Sequence, residues 1–298
     1  DKLDYLQDLG INGLYLTPIF RAPSNHKYDT TDYYEVDPNF GDKALFRSFV
    51  EEAHKRGMRV MLDAVFNHIG AESTQWSDVA EYQEESRYKD WFFIKEFPVP
   101  SAEEIRATPP ETIEHVENLP YETYAYVPMM PKINTHNPEV QEYLLNIATY
   151  WIKEFNIDGW RLDVSPEVWP DFWRQYRKMI KTANPEGIMI AECWDDSREW
   201  LTQGDMFDAT MHYVLSRNIW NRFCHHKISL EQFDSCLNRS LMLYPERINQ
   251  VLWTFLGSHD TARLRTRAGG DLRMLHAASF FQFTFPGAPI IYYGDELG

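Results

Sequence analysis

The chain has 298 residues, 44% of them apolar and 15% aromatic, enough to bury roughly three quarters of the surface it would expose when unfolded, which excludes a disordered chain. Its 29 basic and 45 acidic side chains leave a formal charge of −16, so the surface field repels phosphate and argues against nucleic acid or anionic lipid as a partner. No stretch approaches the roughly 18 uninterrupted apolar residues of a membrane span. The cysteines, Cys193, Cys224 and Cys236, form neither a disulfide framework nor a zinc knuckle, and they fit a soluble protein of a reducing, cytoplasmic compartment. The opening DKLDYLQDLG has no Met and no signal-peptide pattern; it reads as a helix with sequence missing upstream.

Taken in chain order, apolar runs of strand length occur at 13–18 (GLYLTP), 59–65 (RVMLDAV), 158–164 (DGWRLDV), 188–192 (IMIAE), 206–211 (MFDATM), 251–256 (VLWTFL) and 289–293 (PIIYY). Helical patterns lie between them at 44–56, 138–155, 169–183 and 272–285. Gly57 is positioned to stop the first, and Asn137 to cap the second. Strand and helix in alternation predict a parallel sheet. Seven such units on this length point to an α/β fold, a (β/α)8 TIM barrel whose first strand and last helix lie outside the sequence, with a doubly wound open sheet as the runner-up. The rhythm fails over 69–135, a stretch too long to be a plain loop. We read it as a small inserted domain after the third barrel strand, flanked by barrel segments 1–68 and 136–298.

In such barrels the chemistry sits where strands end. Asp63, Asn67 and His68 close one strand, Arg161 and Asp163 another, Glu192 a third, and His259 with Asp260 follow a fourth. Each alone could be a brace at the barrel mouth. Four together point to a site, because charged groups are rarely buried unless paired. Several carboxylates with Arg and His, but no thiol and no phosphate loop, suit glycoside hydrolysis: one carboxylate attacks the anomeric carbon and a second, of raised pKa, protonates the leaving oxygen. Tyr28, Tyr33, Tyr34, Trp160 and Trp194 lie beside these positions, either as sugar platforms or as core.

The strings DAVFNH, GWRLDVSPEV, IAECW and FLGSHD resemble, in this order, the four signature regions of glycoside hydrolase family 13, the α-amylase family. The resemblance implies Asp163 as nucleophile, Glu192 as general acid/base and Asp260 as the third carboxylate, orienting sugar hydroxyls. It implies that Arg161 holds Asp163 ionised, that His68 and His259 bind hydroxyls, that Tyr28 stacks on the sugar, and that Asp63 braces the strands. MPKIN at 130–134 is similar to a string of the neopullulanase, cyclomaltodextrinase and maltogenic amylase group, and Glu167 stands where that group has Glu and secreted α-amylases have His. The secreted enzymes' calcium site uses that His with the Asn matched by Asn67, so the resemblance implies no metal and no cofactor here. Ser165, Pro166 and Asp195 depart from the group's usual residues, which leaves acceptor preference open.

The implied activity is retaining cleavage of α-1,4 links in cyclodextrins, pullulan or maltodextrins, with some transglycosylation and with Asp163 and Glu192 carboxyls about 5 to 5.5 Å apart. An α-glucosidase or ordinary α-amylase of the same family is the alternative, and a non-catalytic relative acting in protein association the remote one. The group usually adds an N-terminal β-sandwich that builds a dimer, so the resemblance implies a homodimer for the full-length protein.

Overall fold

The computed structural model describes residues 2–108 and 118–298, so part of the expected insertion, 109–117, lies outside the described residues. The chain divides into two compact units, Asp1–Met189 and Ile190–Gly298.

In the first unit, β1 (Gly13–Tyr15) pairs in parallel with β4 (Arg59–Ala64), and β4 with β5 (Gly159–Leu162). The Ile188 amide then bonds the Asp158 carbonyl at 2.9 Å, where β6 (Ile188–Ala191) begins. Val60 to Ala64 are buried without a break, as expected of a parallel strand covered on both faces. Gly159 is required by close approach, since a Cβ there would stand 2.3 Å from the Ile188 carbonyl oxygen.

The helices are set by their caps and apolar stripes. Asp42 accepts the Leu45 amide at 2.8 Å to open Lys43–Lys55, which buries Phe46, Val50 and Ala53 along one face. Asn137 accepts the Glu139 amide at 2.9 Å to open Pro138–Phe155, and Asn156 ends it in the left-handed region. Pro170–Ala183 buries Phe172, Trp173, Tyr176 and Ile180, the i, i+4, i+8 spacing of a core-facing helix. Tyr33 and Trp160 belong to this aromatic core rather than to a surface.

A hairpin that the sequence pattern did not reveal sits after β1. Its strands β2 (Phe20–Arg21) and β3 (Asp32–Val36) pair antiparallel; two residues are too few to show alternation. The Tyr33 hydroxyl donates to the Val65 carbonyl at 2.5 Å, with the His68 carbonyl at 3.1 Å, so the hairpin fixes the turn that follows β4. Over 69–135 the described residues form short helices, Thr74–Tyr82 and Ala102–Ala107, and isolated bridges such as Phe92 with Ile133.

In the second unit the end of β6 pairs in parallel with β7 (Ala209–Thr210), Met211 bridges to Trp253, and β8 (Trp253–Phe255) pairs with β9 (Ala288–Ile290). All seven expected strands are present, although the run at 206–211 yields only two strand residues. The pairing of each parallel strand with the next is that of a partial (β/α)8 barrel. The helices Tyr213–Ile219 and Leu230–Leu243 went unread in the sequence, although Ser229 and Gln232 form a capping box at the start of the second.

His212, beside β7, is buried and 2.9 Å from the Ser240 hydroxyl. Burial pushes its pKa down from 6.5 to about 4. Between those values the unfolded chain binds a proton that the fold refuses, so stability falls as pH drops from about 6.5 to about 4 and levels off below. The loss should reach roughly 3 kcal/mol. Urea titrations across this window check it: His212→Asn should flatten the acid limb, and an unchanged limb would assign that limb to other groups.

Candidate active site

The first unit gathers four charged or phenolic side chains around Asp63. β1, β4 and β5 are in register so that Tyr15 pairs with Met61 and Asp63 with Arg161. The two-residue period of a strand then puts Tyr15, Asp63, Arg161 and Asp163 on one face of the sheet. The Tyr15 hydroxyl donates to Asp63 Oδ2 at 2.5 Å and the Tyr28 hydroxyl to the same oxygen at 2.8 Å. Arg161 Nη1 lies 3.0 Å from each Asp63 oxygen and 2.7 Å from Asp163 Oδ1.

All three charged groups are buried. One guanidinium serves two carboxylates here, and buried charges persist out of water only when they are paired and hydrogen-bonded. Burial, reinforced by the Asp63 carboxylate, raises both the Tyr15 and the Tyr28 phenol well above 10, so both remain protonated donors at neutral pH. For Tyr15 the nearby Arg161 charge opposes this rise without cancelling it.

Tyr28 is carried by the loop between β2 and β3, and that loop is pinned from below by a buried ion pair. Lys27 Nζ lies 2.8 Å from Asp37 Oδ2, with side-chain exposures of 4% and 6%, and also donates to the Ala22 carbonyl at 3.0 Å. Burial alone would push the Asp37 carboxyl up, but Lys27 and the Asn39 and Ala22 amides outweigh it and hold it below its usual value. Gly70 seals the loop against the end of β4: a Cβ there would sit 2.3 Å from the Asp29 carbonyl oxygen. Lys27→Met should therefore cost about 3 to 5 kcal/mol by leaving Asp37 buried without its cation, whereas Lys27→Met with Asp37→Leu should recover most of it. Chemical denaturation of the two variants checks this. A single variant as stable as wild type would show the pair to be dispensable.

Past the strand ends, His68 stacks on Tyr124 with ring centroids 4.6 Å apart and planes 17° from parallel. Asn67 is buried beside it, its Nδ2 3.4 Å from His68 Nδ1. Val164, immediately after Asp163, holds φ 45° and ψ 42°, a left-handed conformation that a β-branched residue adopts only under strain. Glu167 is exposed and 3.1 Å from Lys132 Nζ; with Trp169, His136 and Pro166 the pair lines a cleft of about 260 Å³. Ser165 is buried, its hydroxyl donating to the Leu162 carbonyl at 2.7 Å. A calcium ion needs six to eight oxygens, and Asn67 with a Glu167 held by Lys132 does not supply such a set. Among the described residues no cluster of acidic, His or Cys side chains could hold a metal ion.

In the second unit Glu192 directly follows β6 and is buried. The Trp194 indole donates to its Oε1 at 3.1 Å while the ring, 41% exposed, stacks on Tyr213 at 3.9 Å and 17°. Asp195 is exposed and ion-paired with Arg217 at 2.6 Å. His259 Nε2 and Asp260 Oδ2 are 3.2 Å apart on a turn after β8, where Ser258 and Thr261 bond each other.

Comparison with known proteins settles the family. The model of the α-amylase catalytic domain matches residues 1–298. The chain belongs to the α-amylase family. Within the family it is 50% identical to a cyclomaltodextrinase of Geobacillus thermopakistaniensis over 299 aligned positions, all of this chain and 48% of the relative. It is 47% identical to neopullulanase 2 of Thermoactinomyces vulgaris, again over all of this chain and 48% of the relative. A solved cyclomaltodextrinase structure superposes with a TM-score of 0.92 at 46% identity, covering all of this chain and 49% of that one. This α-amylase-family chain thus spans about half the length of the curated relatives it matches, and falls with the neopullulanase, cyclomaltodextrinase and maltogenic amylase group. Among the described residues no helix is long and apolar enough to cross a membrane.

Tyr15, Tyr124 and Lys132 were not among the residues singled out from sequence. Tyr15 sits inside GLYLTP and looks like core; its parity with Asp63 follows only from the strand register.

Proposed function

We propose that the whole protein is a retaining α-glucan hydrolase that cleaves α-1,4 links in cyclodextrins, pullulan or maltodextrins, with some transglycosylation. The observation that carries this reading is the buried array in which one guanidinium holds Asp163 at 2.7 Å and Asp63 at 3.0 Å, with Tyr28 bonded to the same Asp63. Asp163 attacks the anomeric carbon as Glu192 protonates the departing oxygen, giving a glycosyl ester on Asp163. Glu192 then takes a proton from water, which breaks that ester with net retention. The Trp194 indole keeps the Glu192 carboxyl oriented. Asp260, His68 and His259 bind sugar hydroxyls, Tyr28 and Trp194 present rings to the sugars, and Glu167 contributes to the acceptor side. Asp63 and Asn67 hold the strand ends.

In this reading 69–135 is a domain inserted into a barrel formed by 1–68 and 136–298. The full-length protein acts as a homodimer in the cytoplasm. Identity of 47 to 50% to proteins named cyclomaltodextrinase and neopullulanase supports the substrate class. The test is the rate of the whole protein on β-cyclodextrin relative to soluble starch, with products identified. Faster attack on cyclodextrin, giving maltose and glucose, is expected. Faster attack on starch would make this an endo-acting α-amylase instead.

A further inference from the structure

The Asp63 carboxylate is bonded by the guanidinium that also holds Asp163 and by two phenols. Arg161 Nη1 serves Asp63 and Asp163 at once, at 3.0 and 2.7 Å. Tyr15 and Tyr28 bring two phenols to Asp63 Oδ2. A hydrogen bond to a carboxylate stabilises its charge, and so does a guanidinium; a buried carboxylate with fewer donors draws harder on the cation that remains. The two phenols therefore relieve Asp63 and leave more of Arg161 to Asp163.

We propose that Tyr15 is a positioning residue of the reaction: through Asp63 and the shared Arg161 guanidinium it keeps Asp163 in the charged, attacking state, and through the same carboxylate it anchors the phenol of Tyr28. This rests on the reading of Asp163 as nucleophile. Its geometry is built into the sheet, because Tyr15 pairs with Met61 and so stands diagonally from Asp63, a separation that an aromatic side chain spans. Among the described residues, the ionisable groups that act on the array include Tyr15 on β1, Tyr28 on the hairpin loop, Asp63 on β4, Arg161 and Asp163 on β5 and just beyond it, and Tyr33 on β3, which senses the Asp163 charge. The three tyrosines are held above their ordinary pKa, burial being the main cause.

The test uses the whole protein and α-maltosyl fluoride, whose leaving group needs no protonation, so that the rate reports attack by the nucleophile rather than the general acid. For Tyr15→Phe the acid limb of kcat/KM should move up by roughly half a pH unit, with a three- to tenfold loss at neutral pH and an unmoved basic limb on a natural maltodextrin. A tyrosine that merely fills the core would lower stability and leave the acid limb in place, and that outcome overturns the proposal. So does a downward move, which would mean that Asp63 takes up a proton. If Tyr15→Phe does not fold, Tyr28→Phe removes the other phenol from the same oxygen, and an unmoved acid limb there is equally contrary. A wild-type protein inert toward α-maltosyl fluoride would instead overturn the underlying assignment of Asp163, a result distinct from either.

Discussion

Asp163→Asn is expected to lower kcat/KM by about four orders of magnitude or more while leaving the folded state nearly as stable as before. The rate follows from the role proposed for Asp163: an amide cannot form the glycosyl ester, and removing a covalent nucleophile costs far more than removing a binding contact. The stability follows from the geometry. Arg161 is completely buried, but it lies between two carboxylates, and with Asp163 neutralised it still has Asp63 at 3.0 Å. The mutation also removes one carboxylate from a buried site, so the cost of losing one charge-assisted hydrogen bond is partly offset. Steady-state kinetics and an unfolding curve on the same preparation check both halves. A variant retaining more than about a tenth of wild-type rate would remove Asp163 from the reaction.

Arg161→Met should behave in the opposite way with respect to folding. It takes the cation from between Asp63 and Asp163, and two buried carboxylates are left facing each other. Breaking a buried pair by removing one partner costs about 3 to 5 kcal/mol, and here one partner serves two. We expect destabilisation at the upper end of that range, together with loss of activity. Partial rescue should follow at lower pH, where one of the stranded carboxylates can bind a proton. Equilibrium unfolding at two pH values measures it. A variant within about 1 kcal/mol of wild type would mean that the cluster is held by other contacts. The contrast between the two substitutions tests the proposed division between Asp163, acting in the chemistry, and Arg161, acting in both chemistry and structure.

How far the sequence revealed this arrangement can be judged residue by residue. The strands were legible because parallel strands are buried on both faces and stand out as apolar runs, as Val60 to Leu62 do in β4. The caps at Asn137 and Gly57 were legible because they use local chemistry. Charged residues at strand ends were legible for the converse reason: Asp63, Arg161, Asp163 and Glu192 interrupt apolar runs at a cost that only a partner or a function offsets. Tyr15 was hidden by its own amphipathic character. Its ring belongs in an apolar run and its hydroxyl acts across to the next strand, so only register, which the sequence does not state, brings it to Asp63. The stacking of Tyr124 on His68 was hidden likewise, since it joins positions 56 apart through a segment with no repeating pattern. The hairpin β2–β3 escaped notice because one of its strands has two residues. The ion pair of Lys27 with Asp37, which holds the loop of Tyr28, links a left-handed Lys to a residue ten positions on, and nothing in composition marks it.

The assignment of Asp163 as the covalent nucleophile is tested most directly by trapping its ester. The whole protein carrying Glu192→Gln, incubated with α-maltosyl fluoride, forms the glycosyl-enzyme without needing acid catalysis but lacks the base that would activate water against it, so the intermediate should accumulate. Proteolysis and mass spectrometry then locate the added maltosyl group. The expected result is a single modified peptide, with the sugar mass on Asp163. The same mass on Asp63, Asp260 or any other carboxylate would contradict the mechanism proposed here.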